Sequence, residues 1–92
     1  RQRVLTAPAT PPDPLDALVE RSRAGSADAF AELVRRCQGP VRLYVARHVR
    51  HPAVIDDLTQ EVFVTAYEKL GSFRHESSLV TWLLGIARIR LL

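Results

Sequence analysis

The sequence has few of the residues and patterns that mark secreted or membrane proteins. Cysteine occurs once among the 92 residues, as Cys37, which excludes an internal disulfide and fits a reducing compartment, so we expect a cytoplasmic protein. No apolar run approaches the ~18 residues of a membrane-spanning helix, and the N-terminus lacks the apolar stretch of a signal peptide, so no membrane association is expected. Because methionine is absent and the chain stops at Leu92 within a helical pattern, we expect a fragment of a longer protein.

Residues that form catalytic and metal sites are also scarce. The three histidines, His48, His51 and His75, have no cysteine or carboxylate partner at metal-ligand spacing. There is no glycine-rich phosphate loop and no H-E-x-x-H pattern. The adjacent carboxylates of Asp56 and Asp57 suggest acid–base chemistry, but the helix dipole commonly places carboxylates in the first turn of a helix. We therefore expect no enzyme, no metal, no cofactor and no small-molecule substrate.

Length and composition favour one small domain behind a leader. The chain is 47% apolar, and a chain of this length buries only about 60% of its unfolded surface, which does not support two cores. Residues 1–14 contain four prolines and little apolar content, which disfavours helix and strand. We predict a flexible proline-rich leader over residues 1–14 and one folded domain over residues 15–92.

Apolar residues recur at helical spacing after the leader, and no strand-like alternation persists, which predicts an all-α bundle of four to five helices. The first helix should end near Gly25, and Ser26 should cap a second helix that ends at Gly39-Pro40. A third helix follows from Val41.

The last two helices are separated by a polar loop. One helix should run from about Pro52 to Leu70 with Gly71 as its C-terminal cap, and the other should begin at Ser77 or Ser78. The residues expected to be buried together are Phe30, Leu33, Leu58, Val62, Leu83 and Ile86.

Charge is divided into blocks along a chain whose net charge is only +3. Every charged residue from 35 to 50 is basic, every one from 56 to 68 is acidic, and the balance is basic again from Lys69 onward. Two surfaces of opposite sign predict two different partners. The basic block by itself is typical of a solvated face, although non-specific attraction to DNA is an alternative.

Part of the acidic block forms a stripe. Asp57, Gln60, Glu61 and Val64 occupy positions i, i+3, i+4 and i+7 of the predicted helix, so they share one exposed side opposite the core. A basic partner helix could lie along this stripe. Spacing alone favours an ordinary solvated face.

Several motifs, in order and at matching distances, resemble region two of the extracytoplasmic-function sigma factors of bacterial RNA polymerase. They are D-D-L-T-Q-E-V-F at 56–63, A-Y at 66–67 and F-R-H-E-S-S-L-V-T-W-L-L-G-I-A-R at 73–88, preceded by D-A-F-A-E-L at 28–33. The resemblance covers roughly Leu15 to the end and implies the helical bundle of that region. The region-four helix-turn-helix, which reads the −35 element in the family, is missing.

The resemblance implies that Asp57, Gln60, Glu61 and Val64 dock on the clamp helices of the polymerase β′ subunit. An acidic, amide-bearing stripe suits an arginine-rich helix, because arginine bridges carboxylates in a bidentate way. An anti-sigma factor is a further implied partner, and the basic block from 35 to 50 is a candidate surface for it.

The resemblance also implies that the loop at 71–78 holds a base flipped out of the −10 promoter element and that the following helix meets the phosphates. Flat and hydrogen-bonding side chains suit the recognition of single-stranded bases. The residues assigned to DNA on this basis are Phe73, Arg74, His75, Glu76, Ser77, Ser78, Thr81, Trp82, Arg88 and Arg90. For Phe73 and Trp82, a place in the core is an open alternative.

Ile89 stands where the family usually carries asparagine, and its side chain cannot form a hydrogen bond with a base.

Two other classes of function remain open. One is a repressor fragment whose recognition helix enters duplex DNA, but its tight turn of three or four residues differs from the longer polar loop here. The other is a bundle that binds only protein. A sigma domain prefers single-stranded −10 DNA, a repressor prefers duplex, and an interaction bundle binds neither.

Overall fold

A computed structural model describes residues 13–92 of the chain. Its helices are α1 (Asp16–Arg23), α2 (Ala27–Ala46), α3 (Pro52–Lys69) and α4 (Leu79–Arg90), and a 3-10 turn (Leu70–Ser72) follows α3. Because residues 13–92 contain these helices and no strand, the all-α prediction is confirmed. The predicted leader lies outside the described residues except for Asp13 and Pro14. None of the described helices is both long and apolar enough to cross a membrane.

The turn between α1 and α2 forms as the sequence predicts. Gly25 has a φ of 105°, a left-handed conformation that glycine adopts without steric penalty. Ser26 then caps α2, and its side-chain oxygen accepts a hydrogen bond from the backbone N–H of Ala29 at 3.0 Å. The tight turn brings α1 against α2.

The prediction that a helix ends at Gly39-Pro40 is wrong, because α2 continues through Pro40 to Ala46. Val41 and Val45 are fully buried on the same stripe as the residues before them. Burying a valine contributes about 1.5–3 kcal/mol, so two of them offset the roughly 3 kcal/mol that a proline costs within a helix. Pro40 itself is exposed, so its missing hydrogen bond lies on the solvent side.

Helix α3 begins at Pro52, as predicted, and passes into the 3-10 turn around Gly71. His51 caps it, and its Nδ1 accepts a hydrogen bond from the backbone N–H of Ala53 at 3.2 Å. This cap was not predicted, because histidine is not among the usual capping residues. Tyr67, near the end of α3, is 64% exposed.

One core joins all four helices. Of the six residues predicted to be buried together, Leu33, Val62 and Leu83 are buried, whereas Phe30, Leu58 and Ile86 are half-buried and pack against the core. The core residues are Leu18, Val19, Ala29, Leu33, Cys37, Val41, Val45, Ile55, Val62, Phe63, Ala66, Leu70, Phe73, Leu79, Leu83 and Ala87. The core fixes which sides of α3 and α4 face outward.

Candidate partner and nucleic-acid interfaces

The acidic stripe on α3 is exposed as predicted. Asp57, Gln60, Glu61 and Val64 all lie on the solvent side, and Val64 is 58% exposed. The side chains of Asp57 and Gln60 form no hydrogen bond or ion pair with any of residues 13–92. The stripe therefore presents a carboxylate and an amide that are available to a partner.

An apolar groove of about 460 Å³ lies beside the stripe, between α2 and α3. Its apolar lining comes from Phe30, Val34, Phe63, Val64 and Tyr67. The rings of Phe30 and Tyr67 meet edge to face with centroids 5.0 Å apart, a favourable aromatic arrangement. Phe30 was expected in the core, and the groove was not predicted. The sequence signal that could have predicted the groove is the apolar stripe on α3, which is wider than the core can cover.

The loop before α4 has an inward and an outward set of side chains. Phe73 is only 3% exposed, and its ring lies 5.1 Å from that of half-buried Trp82, so both take the core positions that the sequence analysis left open. Arg74 and Glu76 are exposed, and their side chains form no hydrogen bond within residues 13–92. Of the loop residues assigned to DNA, these two are the most available.

Arg23 of α1 holds the start of this loop. Its Nε donates a hydrogen bond to the carbonyl oxygen of Leu70 at 3.1 Å, and its Nη2 donates another to the carbonyl oxygen of Phe73. The same guanidinium lies 5.9 Å from the centroid of the Phe73 ring and pairs with Glu20 at 2.9 Å. No local pattern predicts these contacts, because 47 and 50 residues separate Arg23 from its two carbonyl partners.

His75 is held against α1 as well. Its Nδ1 lies 3.2 Å from a carboxylate oxygen of Asp16, and its Nε2 lies 2.9 Å from one of Glu20. Its φ of 57° is in the left-handed region that non-glycine residues seldom adopt. At the end of the loop, a carboxylate oxygen of Asp13 accepts a hydrogen bond from the backbone N–H of Leu79 at 3.0 Å.

Helix α4 has a polar face. Ser78 is its cap and accepts a hydrogen bond from the backbone N–H of Thr81 at 3.1 Å. Thr81, Gly85 and Arg88 are exposed on the same side, and the space beside Gly85 is open. Arg88 forms no ion pair among the described residues. This face combines small residues with an available cation, which suits the close approach of a phosphate backbone.

Arg90 lies elsewhere and is already occupied. Its Nη2 donates a hydrogen bond to the hydroxyl of Thr65 at 2.7 Å, and its Nη1 lies 3.4 Å from Glu61. Ile89 is 69% exposed, an apolar residue on the outer surface of α4. Arg90 therefore links α4 to the acidic stripe and is less available to DNA than Arg88.

The basic block on α2 is partly neutralised. Arg35 and Arg36 both pair with Glu32, and Arg42 pairs with Asp56. The hydrogen bonds from Arg36 and Arg35 hold the pKa of Glu32 below its ordinary value. Among residues 13–92, no cluster of three or more His, Cys, Asp or Glu side chains is placed to hold a metal ion.

The structure thus defines an all-α domain with an acidic stripe on α3 and a separate polar surface formed by a loop and α4. A family model described as sigma-70 region 2 matches residues 33–92, and the chain belongs to that family. The sequence resemblance described above is therefore confirmed.

Related proteins agree with this assignment. The chain is 45% identical to the ECF RNA polymerase sigma-E factor of Haemophilus influenzae over 71 residues, which are 77% of this chain and 37% of that protein. It is 40% identical to the RNA polymerase sigma-H factor of Pseudomonas aeruginosa over 70 residues, 76% of this chain and 36% of that protein. The chain thus spans little more than a third of these relatives.

A solved structure has the same fold. It is an NMR structure of an engineered region 2 of sigmaE in complex with GTAAAA, and it superposes with a TM-score of 0.77 at 38% sequence identity. The match covers 84% of this chain and 80% of that one.

Proposed function

We propose that this domain acts in transcription initiation by binding core RNA polymerase through α3 and holding the melted −10 promoter element with the loop at 73–78 and α4. It acts by binding and not as an enzyme. The observation that supports this most strongly is the stripe residue pair Asp57 and Gln60, exposed and without a partner among residues 13–92. Such a role belongs in the cytoplasm, where polymerase works.

The polymerase partner is the pair of clamp helices of the β′ subunit. A partner helix rich in arginine would pair with Asp57 and Glu61, since charge-assisted hydrogen bonds between guanidinium and carboxylate are the strong ones. Val64 and the adjacent groove offer apolar contact beside these charges. Interfaces of this kind obtain most of their binding energy from a few well-buried anchors, so an apolar side chain of the partner seated in the groove would add affinity.

The DNA partner is the single-stranded −10 element. Arg74 and Glu76 offer a donor and an acceptor to the exposed edges of an unstacked base. Arg88 and the small residues of the α4 face then receive the phosphates. The solved relative with a bound GTAAAA hexanucleotide has a similar fold, which supports this assignment.

The end of the basic block at 35–50 is a candidate surface for a regulatory partner. Arg47 and Arg50 are exposed and form no ion pair within the described chain, unlike the earlier arginines of α2. We assign these two residues as a candidate contact for an anti-sigma factor.

Charge reversal at Asp57 tests the docking proposal. Asp57→Lys should abolish binding to core polymerase in a pull-down with the full-length protein that carries this chain, and it breaks no internal ion pair. Asp28→Lys on α2 makes the same change in charge away from the stripe and should bind normally. If the folded Asp57→Lys protein binds core polymerase as well as Asp28→Lys does, docking through this stripe is wrong.

A further inference from the structure

We infer that α1 is the positioning element for the base-binding loop, so that Asp16, Glu20 and Arg23 set the base preference without touching DNA. The inference rests on the proposed function, because it concerns how the same loop selects a base. It extends the site to residues far away in sequence that lie outside the motifs at 28–33, 56–63, 66–67 and 73–88.

Arg23 anchors the entrance of the loop. The two nitrogen atoms of Arg23 that donate to the carbonyl oxygens of Leu70 and Phe73 belong to one rigid planar group, so they fix both carbonyls relative to each other. Glu20 pairs with the same guanidinium and limits its rotation. The chain therefore leaves the 3-10 turn in a direction that α1 determines.

His75 fixes the middle of the loop against α1. A left-handed conformation at His75 is sterically unfavourable and persists only when surrounding contacts hold it. Asp16 and Glu20 provide these contacts, one at each nitrogen of the imidazole. The Phe73 ring also packs against the imidazole of His75, with the two ring centroids 4.6 Å apart. The His75 side chain is thus held against α1, while the side chains of its neighbours Arg74 and Glu76 are exposed and form no hydrogen bond within residues 13–92.

Asp13 anchors the exit of the loop. One carboxylate oxygen of Asp13 accepts from the N–H of Leu79, the first residue of α4, and the other accepts from the N–H of Leu15 at 2.9 Å. The entrance, middle and exit of the loop are thus all tied to residues 13–23. A loop ordered before binding loses less conformational entropy when it takes up a base, and its donors and acceptors fit fewer alternative bases.

The double substitution Asp16→Ala with Glu20→Ala tests the inference in the purified chain. Asp28→Ala with Glu32→Ala is a matched control, because these residues also lie four apart at the start of a helix and Glu32 likewise pairs with arginine. Fluorescence anisotropy would measure affinity for GTAAAA and for hexanucleotides that each differ from it by one base, over a range of salt concentration.

We expect the ratio of affinities between GTAAAA and the changed hexanucleotides to fall at least about fivefold in Asp16→Ala/Glu20→Ala, from the lower end of the usual net contribution of a hydrogen bond applied to two contacts. The affinity for the weakest hexanucleotide and the salt slope should equal those of the control. A purely structural role would instead weaken binding to all hexanucleotides alike, and that result would overturn the inference.

Arg23→Lys provides a second variant in case the double variant does not fold. Lysine keeps the charge but lacks the fork that reaches both carbonyls, so discrimination should fall here as well. Wild-type discrimination in folded Arg23→Lys and in the double variant overturns the inference and leaves the proposed function intact. If the wild-type chain itself binds all the hexanucleotides equally, the proposed base capture fails, and the inference fails with it.

Discussion

Arg88 and Arg90 offer a direct comparison of an available arginine with an occupied one. Both lie in the last turn of α4. Arg88 forms no ion pair within residues 13–92, whereas Arg90 is bound to Thr65 and lies near Glu61. Binding of a phosphate by Arg88 would release counterions, while Arg90 must first give up its protein partners. Arg88→Ala should therefore reduce the salt dependence of DNA binding more than Arg90→Ala does.

The size of the effect follows from counterion release. Each phosphate contact to a single strand contributes about 0.7 to the slope of log affinity against log salt. Between 50 and 200 mM salt, one contact corresponds to a factor of about 2.6 in affinity. Wild-type affinity for GTAAAA should thus fall about 2.6-fold more over this range than that of Arg88→Ala.

Fluorescence anisotropy of labelled GTAAAA, titrated at several salt concentrations, would measure both slopes. Circular dichroism would show whether each variant remains helical. A wild-type slope in Arg88→Ala, or an equally large reduction of the slope in Arg90→Ala, would contradict a phosphate contact by Arg88.

Three further predictions concern stability and reactivity. Leu83→Ala should destabilise the fold by about 2–5 kcal/mol, as usual for a buried leucine, and half-buried Leu58→Ala should cost less; equal losses in urea unfolding would contradict this register. Ser78→Ala should cost about 1 kcal/mol through loss of the α4 cap, measured in the same way. Burial raises the pKa of Cys37 to about 11 from 9.0, so the thiol should resist a thiol reagent at pH 8 until urea unfolds the chain. Rapid labelling of the folded chain would contradict the burial of this thiol. Because the folded state holds the thiol proton more tightly than the unfolded state, the free energy of unfolding should fall as pH rises from 9.0 to about 11.

Local signals account for most of the fold. The helix boundaries at Gly25, Ser26, Pro52 and Ser78 were predictable because each depends on one residue and its nearest neighbours. The break at Gly39-Pro40 was wrong because the burial of residues beyond it, on the same stripe, outweighs the local preference of proline. Propensity acts within a few residues, and packing decides where the two disagree.

The candidate site was predictable only in part. The exposure of Asp57 followed from helical periodicity, which also places the polar face of α4. The pairing of His75 with α1 and the contacts of Arg23 with the loop join segments that are 47 or more residues apart. No periodic pattern records which distant segments meet, so these residues emerge only from the folded structure.

The preference for single-stranded over duplex −10 DNA tests the proposed function most directly. The chain would be bound to core polymerase and titrated with labelled GTAAAA, and then with a duplex that contains the same sequence. We expect the single strand to bind more tightly, because the loop at 73–78 receives an unstacked base. Tighter binding to the duplex would indicate a major-groove reader, and no binding to either would indicate a protein-interaction bundle; both results contradict the proposed function.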